Sequence, residues 1–245
     1  MIIGIVGLPG TAKTYFAVKM VLARLKRKEK VYSNIEIIYN EKKPNEQKAI
    51  LYDKLEIILS EVANKAFADR QKWIDSGKDK HDFWPERTTI VVDEIGILYD
   101  ARDWETFSNQ LVYYFKQTRK IGIDLIWTTQ CFSDLEKKVR GITDFVWDMR
   151  KLPFGLRMGF KYDTIGIDKK GAHFKPKVYD RVLFHLNKGI WYSYDTLTCI
   201  IPSVKEITSK YSRYRFNNKF AKKLHSDNEP KIVDGQVIIN NDKLF

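Results

Sequence analysis

The feature that most constrains this chain is an eight-residue stretch at residues 7–14. An apolar run at residues 2–6 leads into it, and apolar residues at helical spacing follow from residue 13. A strand that ends in a tight glycine turn and feeds a helix directs backbone N–H groups and the helix N-terminus at one point, which suits a phosphate group. The stretch therefore predicts a phosphate-binding loop. It reads Gly7, Leu8, Pro9, Gly10, Thr11, Ala12, Lys13 and Thr14.

This loop fits the pattern G-x-x-x-x-G-K-[ST] of P-loop nucleoside triphosphatases at every fixed position except one. In such a loop Lys13 neutralises the β- and γ-phosphates of ATP, and the Thr14 hydroxyl joins the shell of a Mg²⁺ ion. The exception is Ala12, which stands where glycine is usual. We expect its methyl group to fit if the residue has a negative φ. A glycine turn that binds no nucleotide is the alternative.

Two adjacent carboxylates, Asp93 and Glu94, follow a β-branched run at residues 88–92 that predicts a buried strand. The carboxyl ends of parallel strands line one edge of a sheet, where ligands bind. We therefore expect Asp93 to lie near Thr14 and hold Mg²⁺, and Glu94 to polarise the attacking water as general base. An Asp-Glu pair after a strand is by itself more often a turn. Together with the phosphate loop, it predicts a catalytic pair.

Three further residues are candidates for the same chemistry. Gln130 ends the strand predicted at residues 123–129, where its amide can bond the γ-phosphate or the water. An ordinary strand-end amide explains it equally well. Arg119 and Arg140 are candidate arginine fingers that reach the γ-phosphate of a neighbouring subunit. Each is also explained as a surface arginine.

Alternation of strands and helices predicts an α/β fold, a three-layer P-loop NTPase with a mostly parallel central sheet and a β-rich C-terminal appendage. We place the ATPase core at residues 1–152, with a helical insertion at 41–87. A β-hairpin extension follows at 153–202, and a basic, partly disordered tail at 203–245. The core strands are expected at 2–6, 30–38, 88–92, 123–129 and 145–150, and core helices at 13–28 and 104–120.

The composition limits which kinds of partner and which cellular compartment are expected for this chain. The 43 Lys and Arg residues exceed the 31 Asp and Glu residues by 12, which favours a polyanionic partner or, equally, a solvated lysine-rich surface. The two cysteines form neither a disulfide framework nor a metal-ligand spacing. The first residues do not resemble a signal peptide, and no apolar run approaches the ~18–20 residues that span a bilayer. We expect a soluble protein without a transmembrane segment.

With these residues established, the chain resembles the zonular-occludens-toxin-like (Zot) family. These are gene I-type assembly ATPases of filamentous phages, within the FtsK/HerA branch of P-loop proteins. The similarity covers about residues 1–200. Beyond the phosphate loop, the resemblance rests on four further segments. The first two are residues 31–35 (VYSNI) and the Asp93-Glu94 pair followed by residues 101–104 (ARDW). The other two are residues 118–124 (TRKIGID), which lead into Thr129-Gln130, and residues 194–196 (YDT).

The chain departs from the family pattern in three respects. The family usually has glycine where Ala12 stands. It tends to have histidines on both sides of Arg119, where this chain has Thr118 and Lys120. Members that serve filamentous phages commonly continue into a membrane-spanning helix, whereas this sequence has no apolar run of that length.

The resemblance implies an oligomeric, ring-forming motor that uses ATP and Mg²⁺ to move viral DNA or to drive virion assembly and export. Other assembly or membrane proteins of the phage or host are implied partners, and the host cytoplasm or the inner face of its membrane is the implied location. The alternative is a nucleotide-binding assembly scaffold with negligible hydrolysis. A small-molecule kinase is a third class, but no acceptor-site or lid motif supports it.

The segment at residues 205–223 interleaves basic and aromatic residues. Phosphate-neutralising groups between rings that stack on bases suit single-stranded nucleic acid. An amphipathic helix on an anionic membrane or a packed surface fits the same pattern. The basic residues are Lys205, Lys210, Arg213, Arg215, Lys219, Lys222 and Lys223.

Overall fold

The computed structural model describes residues 1–39, 48–98, 109–135, 137–163, 178–194, 231–233 and 236–238. The chain divides into two compact units, Met1–Cys199 and Ile200–Phe245. The first unit contains an eight-stranded sheet, and the second contains a two-stranded hairpin. The candidate site lies entirely in the first unit.

The sheet of the first unit has the order β3-β2-β4-β5-β1-β6-β7-β8. All neighbours from β3 to β6 pair in parallel, and β7 pairs antiparallel with both β6 and β8. Its strands are β1 (Ile2–Val6), β2 (Lys30–Ser33), β3 (Ile50–Leu51), β4 (Thr88–Val92), β5 (Ile123–Thr129), β6 (Phe145–Lys151), β7 (Leu156–Asp163) and β8 (Val178–His185). The predicted mostly parallel α/β sheet is confirmed.

Helices cover both faces of this sheet. They are α1 (Lys13–Lys26), α2 (Leu55–Asp75), α3 (Ile95–Leu98), α4 (Asn109–Lys116), α5 (Lys137–Ile142) and α6 (Lys188–Trp191). Helix α1 places Arg24 and Lys26 in its last turn, where cations complement the helix dipole. No helix within the described ranges is both long enough and apolar enough to cross a membrane.

Two hydrophobic clusters, one on each face, complete the three layers. The strand alternation of β1 sends Ile3 and Ile5 toward α1, whereas Ile2 packs with residues of α2, α4 and α5. Gly4 lies on the same face as Ile2, and a Cβ at this position would overlap the indole ring of Trp127. This close approach lets the fully buried Trp127 fill the centre of the second cluster.

Several element boundaries differ from the sequence-based expectations. Strand β2 ends at Ser33 rather than 38, because Asn34 turns its side chain onto β4. The insertion at 41–87 contributes β3 to the sheet edge as well as α2, and its residues 41–47 lie outside the described part. The helix predicted at 104–120 is described only as α4, and residues 99–108 with the ARDW segment lie outside the described residues.

Within the predicted β-hairpin extension at 153–202, β7 and β8 pair antiparallel, whereas a short stretch of the same range is helical. Residues 188–191 form α6 instead, because the Asn187 side chain accepts a hydrogen bond from the Gly189 N–H at 2.7 Å and caps the helix. The basic segment at 205–223 lies outside the described residues.

The second unit contains β9 (Lys231–Val233) and β10 (Gln236–Ile238), which pair antiparallel. The expectation of a basic, partly disordered tail at 203–245 stays a prediction, and these two strands are the part of it that the structure describes. The β-branched pairs Ile232-Val233 and Val237-Ile238 flank the sequence Asp234-Gly235, a two-residue signal typical of hairpins.

Candidate nucleotide site

The loop at residues 7–14 joins β1 to α1 and is built around three residues with positive φ. These are Gly7 at 147°, Gly10 at 76° and Ala12 at 72°. The turn is closed by the N–H and hydroxyl of Thr11, which both donate to the Leu8 carbonyl oxygen, at 3.3 and 2.8 Å. A Cβ at Gly7 would lie 2.5 Å from the Met149 carbonyl oxygen, so only glycine fits this close to β6.

Ala12 does not meet the condition under which its methyl group was expected to fit, a negative φ. Its φ of 72° and ψ of 37° place it in the left-handed region immediately before α1, where a Cβ clashes with the following carbonyl and costs roughly 1–2 kcal/mol. The chain therefore keeps the backbone geometry that glycine usually provides in this loop, with an alanine in place. The loop carries local strain at this one residue.

Lys13 is 6% exposed, and its ammonium group projects into the site. Its Nζ lies 3.5 Å from the Leu8 carbonyl oxygen and 3.8 Å from Glu94 Oε1. A buried ammonium is costly unless anions surround it. Lys13 is therefore placed to bind an anionic ligand above the loop.

Asp93 is held by two hydroxyl groups at the carboxyl end of β4. Thr14 donates to Oδ1 at 2.9 Å, and Thr128 donates to the same oxygen at 2.7 Å. Burial raises the pKa of Asp93, and the hydrogen bonds from Thr128 and Thr14 and the charge of Lys13 partly offset that rise. The predicted proximity of Asp93 and Thr14 is confirmed, and their oxygens are the hard ligands that Mg²⁺ prefers.

Asn34 fixes the backbone of Asp93 and was not singled out from the sequence as a site residue. Its Nδ2 donates to the Asp93 carbonyl oxygen at 3.0 Å, and its Oδ1 accepts from the Asp93 N–H at 2.8 Å. The paired bonds continue the β2–β4 ladder one residue beyond Ser33. A polar Ser-Asn pair at the end of an apolar strand was the available signal.

Glu94 adopts a positive φ of 52°, uncommon for a side chain of this size. Its N–H donates to Thr128 Oγ1 at 2.9 Å, so a single hydroxyl holds both acids. Burial raises the pKa of Glu94, Lys13 lowers it, and Asp93 raises it further. The carboxylate thus lies beside the lysine with a pKa above its ordinary value, which makes it a stronger proton acceptor than a free glutamate.

These groups converge on one cavity of about 510 Å³ at the carboxyl edge of the parallel strands. Gln130 also lines it, and its backbone carbonyl oxygen accepts from the Gly7 N–H at 3.2 Å. The predicted site residues that line the cavity are Pro9, Gly10, Ala12, Lys13, Thr14, Asp93, Glu94 and Gln130. Ile35 and Tyr194, from the VYSNI and YDT segments, also line the cavity without having been predicted as site residues. The other lining residues that were not predicted are Tyr15, Lys151, Arg157, Leu186 and Trp191.

Tyr194 belongs to the YDT segment, whose other two residues lie outside the described part. It forms an antiparallel bridge with Ile37 and lines the cavity. Burial raises the pKa of Tyr194 to about 12, and the charges of Asp93 and Tyr15 contribute. The hydroxyl therefore stays protonated and can donate a hydrogen bond in the cavity.

The two candidate arginine fingers lie away from this cavity. Arg119 lines a separate cavity of about 900 Å³ beside Gly122, Ile123 and Asp144, where the parallel strands begin. Arg140 lies on α5, and its Nε is buried without a hydrogen-bond partner among the described residues. Neither is among the described residues that line the carboxyl-edge cavity, so a role at the γ-phosphate of a neighbouring subunit stays a prediction.

The family model for zonular occludens toxin (Zot) matches residues 1–188. This chain belongs to the Zot family. The match takes in the phosphate loop, both carboxylates and the β6–β7–β8 extension. Among curated protein sequences, none gives a significant match to this Zot-family chain.

Three proteins with solved structures are similar to this chain in fold. The N-terminal domain of zonular occludens toxin from Neisseria meningitidis is 18% identical, with a TM-score of 0.48 over 79% of this chain and 98% of that one. The genome packaging NTPase B204 from Sulfolobus turreted icosahedral virus 2, in complex with ATP-gammaS, is 14% identical, with a TM-score of 0.43 over 66% and 92%. EssC (ATPases 2 and 3) from Geobacillus thermodenitrificans is 12% identical, with a TM-score of 0.44 over 66% and 37%.

Proposed function

We propose that this Zot-family protein is an ATP-hydrolysing motor for phage or virus assembly, acting in DNA packaging or virion extrusion. The observation that carries the proposal is the convergence of Lys13, Thr14, Asp93 and Glu94 in one cavity. The hydrogen bond from Thr14 to Asp93 and the 3.8 Å approach of Lys13 to Glu94 join the phosphate loop to the two acids.

In the proposed reaction, the N–H groups of the loop and Lys13 bind the phosphates of ATP. Glu94 accepts a proton from the attacking water, whose oxygen forms a bond to the γ-phosphorus. The bond from that phosphorus to the β,γ-bridging oxygen breaks, which leaves ADP and inorganic phosphate. Gln130 is placed at the strand end to orient the water or the γ-phosphate.

Thr14 and Asp93 are the residues that fit Mg²⁺. Their oxygens already lie 2.9 Å apart, and Asp93 is a largely buried carboxylate whose pKa the charge of Lys13 lowers. When bound, Mg²⁺ supplies charge neutralisation at the phosphate oxygens. The protein's own contribution is to fix Asp93 through Thr128 and Asn34, while the Thr14 hydroxyl is held by its hydrogen bond to Asp93.

The partners are also part of the proposal. Family membership and the net charge of +12 support viral DNA as the substrate moved. A homo-oligomeric ring is proposed because Arg119 cannot reach the cavity of its own subunit but is exposed for a neighbour. Since ATP is supplied in the cytoplasm, we propose that the motor works there or at the inner face of the host membrane, with phage or host assembly proteins.

A nucleotide-binding scaffold with negligible hydrolysis is the second candidate. It is favoured by Ala12, whose left-handed conformation strains the loop that must close on the phosphates. Both candidates bind ATP, and they differ in turnover.

Steady-state ATP hydrolysis, with and without single- or double-stranded DNA at low salt, tests the proposal. We expect turnover by the wild type that rises with one form of DNA and disappears in Lys13→Ala. The matched control is Lys26→Ala, which removes an exposed lysine from the same helix and should retain full activity. Nucleotide binding without turnover under every DNA condition would reject a self-sufficient motor in favour of the scaffold.

A further inference from the structure

The nucleotide cavity has a second charged side that the proposed reaction does not use. Strand β1 lies between β5 and β6, so the phosphate loop separates two groups of residues. Asp93, Glu94 and Gln130 line the cavity from the β4 and β5 side. Lys151 and Arg157 line it from the β6–β7 side, where they are paired across the two strands.

Arg157 is 9% exposed and is held by its own turn. Its Nη1 donates to the carbonyl oxygens of Gly155 and Leu156, at 3.1 and 3.0 Å. Its Nε is buried and has no hydrogen-bond partner among the described residues. No carboxylate in the described part of the chain forms an ion pair with it either. The guanidinium is therefore fixed in orientation while one of its donors is left without an acceptor.

An unpaired buried cation is costly, and that cost is removed when an anion binds. The Nε–Nη2 edge of a guanidinium matches two phosphate oxygens in a fork-like pair of hydrogen bonds. Because Nη1 is occupied by the two carbonyls, this edge carries the donors that no described acceptor takes up. Since Nε is buried, the side chain must shift toward the cavity for both donors of the edge to contact a ligand. The cavity that Arg157 lines is the one that the phosphate loop forms, so a phosphate group is the matching ligand.

The position of Arg157 in the cavity determines which phosphate groups of a bound nucleotide it can contact. The terminal phosphate must lie beside Glu94 and Asp93, because those residues act on the water and the metal. Gly7 packs against Met149 at the end of β6, so the β6–β7 side faces the opposite part of the loop. A nucleotide that spans the loop with its terminal phosphate beside Glu94 would place its proximal phosphates on the β6–β7 side.

We propose that Arg157 binds the proximal phosphates, those that remain in ADP after hydrolysis, within its own subunit. This inference rests on the proposed function, since it assigns a role inside that nucleotide site. A contact with phosphates that do not react is equally strong before and after hydrolysis. Such a contact contributes to the binding of ATP and ADP alike and leaves the rate of ATP hydrolysis in the bound complex unchanged.

Equilibrium binding of ADP and of a non-hydrolysable ATP analogue to the full chain tests this assignment. We expect Arg157→Ala to weaken both ligands by a similar factor of about 10- to 100-fold, the loss typical of hydrogen bonds to a charged group. Arg157→Lys should recover part of the affinity, because it restores the charge without the fork. In turnover assays KM for ATP should rise and kcat should stay the same.

The control is Arg150→Ala, on β6, since Arg150 is exposed and pairs with Asp148 rather than lining the cavity. If Arg157→Ala fails to fold by circular dichroism, Arg157→Gln keeps an amide donor for the two carbonyls and is tested instead. If Arg157→Ala leaves the affinity for both ligands unchanged, the assignment is overturned. It is also overturned if only the affinity for the ATP analogue falls, or if only kcat falls. A wild type that binds neither nucleotide refutes the proposed function itself.

Discussion

The Thr14 hydroxyl lies 2.9 Å from Asp93 Oδ1 and donates a hydrogen bond to it, although the two residues are 79 positions apart. In this pair the first turn of α1 meets the end of β4 directly. The same two oxygens are the ones proposed to hold Mg²⁺, so the fold itself brings the candidate metal ligands into contact. Their arrangement makes the site sensitive to changes at Asp93 and at the residues that hold it.

Asp93→Asn is expected to stabilise the protein by about 1 kcal/mol when no nucleotide or Mg²⁺ is added, while abolishing Mg²⁺-dependent nucleotide binding. Burial raises the pKa of Asp93 in the folded state, so the folded protein binds that proton more tightly than the unfolded chain. The stability of the wild type therefore falls as pH rises from the ordinary value of 3.8 through the folded-state pKa. Urea unfolding at several pH values should show this dependence in the wild type and less of it in Asp93→Asn. A less stable variant at neutral pH contradicts the argument.

Thr128→Val should destabilise the protein by about 1–3 kcal/mol, because it removes the acceptor of the Glu94 N–H and a donor to Asp93. Thr89→Val is the matched control on the neighbouring strand. The Thr89 hydroxyl is buried without a hydrogen-bond partner in the described structure, so its replacement should be neutral or stabilising. Chemical denaturation of both variants measures the difference, and equal losses of stability would contradict it.

Ala12→Gly should raise the free energy of unfolding, because it removes the roughly 1–2 kcal/mol cost of a left-handed alanine. The greater freedom of glycine in the unfolded chain offsets about 0.4–1 kcal/mol of that gain. Ala23→Gly, at an exposed position inside α1, should instead lower it by about 1 kcal/mol. Thermal unfolding of the two variants should shift in opposite directions. If Ala12→Gly is less stable than the wild type, the packing of the methyl group stabilises the protein by more than the backbone strain costs.

The pH dependence of turnover should report the protonation of Glu94. Burial raises its pKa, Lys13 lowers it and Asp93 raises it, with a net rise above the ordinary value of 4.5. A general base acts only when deprotonated, so kcat should fall as the pH drops through this raised pKa. The kcat profile, with folding checked by circular dichroism at each pH, should place the acid limb above 4.5. An acid limb at or below that value contradicts the assigned environment.

The fold and the centre of the site could be predicted because each rests on local pattern. The loop at residues 7–14 and the Asp93-Glu94 pair follow strands that are apolar or β-branched, and strand ends in a parallel sheet meet at one edge. The residues around that centre could not be predicted in the same way. Asn34 contacts Asp93, which is 59 positions away, and Arg157 lines the cavity because β7 returns antiparallel beside β6.

The conformation of Ala12 shows a different limit. From the sequence, the methyl group of Ala12 was expected to fit if φ is negative, whereas the loop imposes a φ of 72°. The close packing of Gly7 against Met149 and the turn at Thr11 fix the path of the backbone. Tertiary contacts therefore override the local preference of one residue.

The central claim, that the cavity hydrolyses ATP rather than only binding it, is tested most directly by Glu94→Gln. ATP affinity and steady-state turnover are measured for the wild type, Glu94→Gln and the exposed control Glu86→Gln, with the DNA form that gives the highest rate. We predict that Glu94→Gln retains ATP affinity and loses turnover by about 10²–10⁴-fold, while Glu86→Gln matches the wild type. Equal turnover by the wild type and Glu94→Gln, or no turnover by the wild type in any condition, would contradict the motor.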